Sequence, residues 1–508
     1  MARRSSPALL SRRRLLQGLG AGAGLVSAGG LSLRFRASAA EDGPRYLIVL
    51  GCFGGAGMLD CFLPVDTSQA RTDPSRGTVI SYDTVQPAGA IRCVNRDTPV
   101  SFLTAYHQQM VVMGTQSSSV NHFTAQQRSV NGRGAWRGRT LAEAVASVHG
   151  ASLPLPNVNM GRGGYSEPGT DNNLDSRYRA EVVTNPVTFP LSTSGWQGVL
   201  ELGDQAAQDP EHLATMIGQA RAVRDGTLEQ VSPFGQTFGS SRLRQELLYA
   251  RGTNGGALEV QDLIQRLLFI PDLGEAFPLN QYGLSPSEEA DRILSYLPDA
   301  FPQDTSGTPK DRLQAQAALA YLLLRTGSSA AVTLTDPGTD GFLAFDQSHQ
   351  GHKSAQATHW DRALSVADKL IQLLSTAEYS DDSGPTGTSL WDRSMIVFAT
   401  EFGRDKWDTG GSFGTGHHLN NGLLMVSPLI HGDQSLGQAD PNNGFICGFD
   451  PDSGAATPFD ELTPGEDPLF TDERLPPGEE PVFGTILAAL GIGYDDQETL
   501  PVVLDGPV

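Results

Sequence analysis

Asp346, His349 and His352 fall within seven residues, and His359 follows seven later. Imidazoles and a carboxylate without thiolates form the donor set of catalytic zinc or a similar divalent ion. The same residues fit a plainer pattern, a polar loop followed by one exposed helix face, because His352 and His359 lie two helical turns apart. A second stretch, ATEFGRDKWDTGGSFGTGHHLNNGLLMV at 399–426, places Glu401 directly after an apolar run and Arg404 three residues on. Gly414-Thr415-Gly416 then lets the backbone turn so that His417 or His418 points inward. The chain has only 10 histidines in 508 residues, and two of them are adjacent here. A late imidazole arriving from a separate strand end would close a site begun by Asp346. Arg404 suits bidentate capture of a phosphate or sulfate, and an internal salt bridge between Glu401 and Arg404 is the alternative.

These residues need elements to bring them together. RYLIVLGCFGGAGMLDCFLPV (45–65) opens as a continuous apolar run ending in glycines, the pattern of a central strand buried on both faces. QQMVVMGTQ, AAVTLTD and SMIVFAT are three more short buried strands, and GLLMV leads out of the histidine loop. A helix is expected from about Phe123. A second, roughly 353–377, carries Ala357, Trp360, Leu364, Ala367 and Ile371 on one buried face. Residues 210–327 read as largely helical. Strand–loop–helix alternation interrupted by a helical block predicts an α/β sheet with a helical insertion. In such sheets the site lies just past the carboxyl ends of the strands. That rule selects the residues after Val49, Met113, Thr335 and Ala399. The glycine turn after the first strand is not GxGxxG, which argues against a dinucleotide site.

Residues 11–17 read SRRRLLQ, with Arg12 and Arg13 as the pair of a twin-arginine export signal. A weakly apolar stretch and the small-residue pattern Ala37-Ser38-Ala39 follow. An N-terminal membrane anchor is the other reading of this segment. No later run reaches the length of a membrane span, so the expectation is a signal at 1–40 and a soluble periplasmic or extracellular domain at 41–508. Residues 1–40 hold seven arginines and no acid, so their removal takes the net charge from −21 to −28. Such a surface repels nucleic acid and anionic membranes. Four cysteines (Cys52, Cys61, Cys93, Cys447) are too few for a disulfide scaffold. The acidic turns DPNNG and DPDSG, in the loop-rich segment 430–508, give only a weak indication of calcium at 440–461.

The order of these motifs carries a resemblance. T-E-F-G-R after a strand, a glycine loop ending in histidine, an upstream Asp/His cluster, N-H-F-T-A-Q at 121–126 and the twin-arginine signal together resemble the exported family catalogued as domain of unknown function 1501. That family is similar in fold to the alkaline phosphatase and sulfatase superfamily, and the likeness spans roughly 45–430. It implies a central sheet flanked by helices and one divalent metal, zinc or manganese. Its ligands would be Asp346, His349 or His352, and His417 or His418. A hydroxyl nucleophile at a helix start is implied as well; the matching stretch is Asn121-His122-Phe123-Thr124, with Thr124 the nearest hydroxyl and Ser117, Ser118 and Ser119 upstream. His122, Thr124, Glu401 and Arg404 are thereby the catalytic candidates. The chain departs from the pattern at two places. Glu401-Phe402 stands where Asp-His would hold a second metal, and Leu50-Gly51-Cys52 stands where the first strand would deliver an aspartate, with Asp60 a displaced substitute. Two functions remain open: an exported metal-dependent hydrolase acting on a small phosphate or sulfate ester, and a non-catalytic envelope or surface protein that keeps the fold.

Overall fold

A computed structural model describes residues 43–186, Phe189, 288–300, 309–336, Gly338, 344–381, 384–408, 414–459 and 474–505. The chain divides into Met1–Arg36 and Ala37–Val508, and every described residue belongs to the second part. The export signal, most of the helical block at 210–327 and the end of the acidic-turn segment lie outside the described residues.

Eight strands form one mixed sheet: β1 (Tyr46–Cys52), β2 (Met110–Gln116), β3 (Asn157–Asn159), β4 (Glu181–Val182), β5 (Ala331–Thr335), β6 (Ser394–Thr400), β7 (Asn420–Val426) and β8 (Gln434–Leu436). Their order across the sheet is β8-β2-β7-β6-β1-β5-β3-β4. β1 lies between β6 and β5 and is parallel to both, while β7 runs antiparallel to β6 and β2. All seven residues of β1 are buried, as its unbroken apolar run requires.

Alternation along β1 explains the layering. Ile48 and Leu50 face one core, shared with Phe102 of α1 (Asp97–Tyr106), Leu313 and residues 317–324 of a long apolar helix and Trp360 of another. Leu47 and Val49 face the other core, which also holds Val130, Leu141, Val145, Phe483 and Ile486. The helices that supply these residues are α2 (His122–Asn131), α3 (Leu141–His149), α4 (Glu288–Tyr296), α5 (Arg312–Arg325), α6 (His352–Thr376) and α7 (Glu479–Ala489). α4 and α5 are described parts of the expected helical block. On α6, Trp360, Leu364, Ala367 and Ile371 are buried as the spacing predicts, whereas Ala357 is only half-buried. No helix among the described residues is long and apolar enough to cross a membrane. All four cysteines are buried free thiols.

Because β1, β2, β5 and β6 run the same way, their carboxyl ends meet at one edge. β7, running against them, starts there. The loop after β1, the start of α2, the turn before α6, the Glu401–Arg404 segment and the His417–His418 segment are thereby collected. A two-residue ladder pairs Gly403 with His418 and Arg404 with His417. Gly54, at φ +98°, lies against Asp346, where any Cβ would collide with the Asp346 amide nitrogen. The glycines after β1 therefore serve close packing at this edge.

Candidate metal centre

His122 is the first residue of α2, whose N-cap Asn121 side chain accepts the Thr124 amide at 3.2 Å. Its Nδ1 lies 3.2 and 3.1 Å from the two Glu401 oxygens. A carboxylate only accepts, so Nδ1 carries the hydrogen and Nε2 keeps its lone pair. That Nε2 faces Asp346 Oδ1 at 3.5 Å. His417 is fixed in the same way: Nδ1 donates to the Val120 carbonyl at 3.1 Å, and the bare Nε2 stands 3.4 Å from Asp346 Oδ1. Three lone-pair atoms, from His122, Asp346 and His417, thus converge within 4.8 Å of one another. His349 adds a fourth nitrogen, with Nε2 at 3.2 Å from Asp346 Oδ1 and 2.8 Å from His417 Nε2.

A divalent cation would satisfy these lone pairs alongside Arg404, which already stands 2.7 Å from Asp346 Oδ1. Ligand atoms about 2.0–2.1 Å from a tetrahedral ion sit roughly 3.3 Å apart, and the separations of 3.4 and 3.5 Å from Asp346 match. His122 and His417 each donate the other ring N–H to an oxygen, the outer arrangement typical of metal-bound histidine. The protonation tendencies differ between the residues. Burial alone would raise the Asp346 carboxyl, but the contacts with His417 and Arg404 outweigh it and hold it well below the usual range. Burial lowers His349, and the Arg404 charge lowers it further. His122 moves the other way: burial opposes its proton, but the Glu401 hydrogen bond and charge raise it above the ordinary imidazole value.

Glu401 is 1% exposed. It accepts from Gln126 Nε2 at 2.8 Å and from the Gly54 amide. It therefore positions His122 from behind and does not itself face the cluster. Phe402 stacks on His417 with ring centroids 4.1 Å apart. Arg404 is 1% exposed, and its guanidinium is committed inward. It donates to Asp346 Oδ1 at 2.7 Å, to the carbonyls of Gly55, Thr415 and Phe345 at 3.3, 3.1 and 3.3 Å, and to the Gly54 carbonyl. The alternative of a Glu401–Arg404 salt bridge gives way to Glu401–His122 and Arg404–Asp346 pairs.

Several expected site residues lie elsewhere. His352 bonds Asp60 Oδ1 at 2.7 Å and Thr415 Oγ1 at 2.6 Å, in a neighbouring cluster. His359 is fully buried against Asp336 at 2.8 Å and Gln347 at 3.1 Å. His418 occupies the opposite face of its two-residue strand, where Nδ1 accepts the Asn420 amide at 2.9 Å and the ring edge meets Phe445. Thr124 is two residues beyond His122, about 200° around the helix, so its hydroxyl is not presented to the cluster. The acidic turns use their own carboxylates: Asp440 Oδ1 accepts the Asn442 amide at 2.9 Å, and Asp450 Oδ1 the Ser453 amide at 2.8 Å. They are Asx turns, the plain-turn reading of this acidic pattern. Sequence reading missed Gln126 and the Val120 carbonyl as supports. The strand-end rule that selected the loop after Met113 already pointed to that stretch.

No protein-family model matches the chain, and no curated protein matches it. The likeness to the exported family therefore rests on the short motifs and their order.

Proposed function

We propose that the chain is an exported, alkaline phosphatase-like hydrolase with one zinc-like or manganese-like ion, acting on a small phosphate or sulfate ester. The observation that carries the reading is the convergence of the His122, Asp346 and His417 lone pairs, with both histidine tautomers set by oxygens outside the cluster. The mixed sheet with its polar groups at the carboxyl edge supports the fold assignment. A divalent ion bound there supplies Lewis acidity toward an ester oxygen or an attacking water. The protein's own contribution is to hold three ligand atoms in place. Glu401 and Gln126 fix His122, the Val120 carbonyl and Phe402 fix His417, and Arg404 fixes Asp346.

Protein purified without chelator should contain about one such ion per chain, and a chelator should abolish hydrolysis of p-nitrophenyl phosphate or sulfate. Glu401→Gln should weaken zinc binding by about 10–100-fold, as expected when a support behind a ligand is altered. A metal-free protein that takes up no ion on titration would sink the reading. The second reading, a non-catalytic envelope protein, is favoured by the inward commitment of Arg404, which leaves that guanidinium buried. One bound ion with no hydrolysis of either ester would select it. Export has its own test: lysine at both Arg12 and Arg13 should leave the precursor in the cytoplasm, and normal export of that variant would remove the twin-arginine assignment.

A further inference from the structure

Beside the candidate metal centre, three side chains stand in a row: Thr415, His352 and Asp60. Asp60 is 1% exposed, and its Oδ1 accepts from the Tyr82 hydroxyl at 2.5 Å and from His352 Nε2 at 2.7 Å. Burial works against its ionisation, but its partners His352 and Tyr82 bring its carboxyl below the ordinary range. An ionised carboxylate only accepts, so His352 Nε2 carries a hydrogen, and in the neutral ring Nδ1 is bare. Thr415 Oγ1 lies 2.6 Å from that Nδ1, and its hydroxyl must donate.

The Thr415 main chain is fixed on both sides. Its amide donates to the Ser348 carbonyl at 2.9 Å, and its carbonyl accepts from Arg404 Nη1 at 3.1 Å. Arg404 also reaches Asp346, so the hydroxyl and the metal centre share a brace. Thr415 is 5% exposed, and the next residue, Gly416, opens to solvent with no atom within 4 Å of where its Cβ would be.

We propose that Thr415 is a nucleophile, with His352 as its general base and Asp60 as the group that orients and stabilises the imidazolium. A hydroxyl, an imidazole within hydrogen-bond reach and a carboxylate behind the imidazole are the parts such activation requires. With a phosphate ester, Oγ1 attacks phosphorus and its proton passes to His352 Nδ1. The P–O bond to the leaving group then breaks, and the departing alkoxide takes that proton. A water, deprotonated by the same nitrogen, releases phosphate and restores the hydroxyl. The substrate class rests on the hydrolase reading, whereas the activated hydroxyl does not.

A phosphorofluoridate separates the two. Diisopropyl fluorophosphate forms the Oγ1–P bond with loss of fluoride and transfer of the hydroxyl proton to His352, and it needs no metal. Incubation of the full chain with this probe should give one adduct, mapped by mass spectrometry to Thr415. Thr415→Ser should keep the adduct and Thr415→Val should remove it. His352→Asn should slow labelling by at least about 100-fold, the usual contribution of a positioned base. Zinc titration of the same samples reports on the metal centre separately. The absence of an adduct, an adduct elsewhere, or labelling of Thr415 at the parent's rate in His352→Asn overturns the proposal. If the valine variant does not fold, the serine and asparagine variants still decide it.

Discussion

Replacing His417 with alanine should abolish tight zinc binding, while replacing His418 should leave it intact. The two residues are adjacent, but strand alternation sends their side chains to opposite faces. His417 Nε2 stands 3.4 Å from Asp346 Oδ1, whereas His418 accepts the Asn420 amide and packs its ring edge on Phe445. Loss of His417 leaves Asp346, His122 and His349 without the nitrogen that closes the set. Changes behind a ligand cost about 10–100-fold in affinity, so deletion of a direct ligand should exceed about 100-fold. His418→Ala should instead lower folding stability by roughly 1 kcal/mol through its lost ring contact, with the parent's affinity retained. Calorimetric titration of both variants with zinc checks this. Equal losses in the two, or none in either, would contradict the assignment.

The difference between these neighbours shows where sequence reading stops. The apolar runs of β1, β2, β5, β6 and β7 were legible because a buried strand leaves a continuous hydrophobic signature. Their shared direction then placed the loops at one edge. β3 and β4 were not legible: NVN and EV are too short and polar to show a period. The same limit applies to the paired histidines, since the face each one takes is set by the Gly403–Arg404 partner strand. His352 was grouped with His349 by proximity in sequence. It opens α6, however, and that helix carries its ring to Asp60 on the loop after β1. Sequence alone makes Glu401 a catalytic candidate or a partner of Arg404. Its role depends on α2, whose first residue brings His122 against it through contacts 279 positions apart in sequence. Long-range partners of this kind leave no local pattern.

Arg404→Ala should destabilise the fold more than it affects any anion. The guanidinium is buried, and burial itself lowers its pKa, against the opposing pull of Asp346. It donates to the Asp346 carboxylate and to four main-chain carbonyls, those of Gly54, Gly55, Phe345 and Thr415. Those carbonyls belong to three separate loops at the carboxyl edge of the sheet. Alanine would leave a half-buried carboxylate without its strongest partner and several buried acceptors unpaired. Removing one member of a buried ion pair costs about 3–5 kcal/mol, mostly from the charge left behind. Lysine keeps the charge but is a point donor without the planar fork, so Arg404→Lys should recover only part of the loss. Urea unfolding of the three proteins measures this directly. With the brace gone, Asp346 also loses the positive charge that holds its carboxyl down, and zinc binding should weaken alongside stability. A surface anion clamp predicts the opposite pattern, with unchanged unfolding midpoints and weaker phosphate or sulfate binding. A parent-like unfolding midpoint in Arg404→Ala would therefore remove the bracing role and return Arg404 to the substrate.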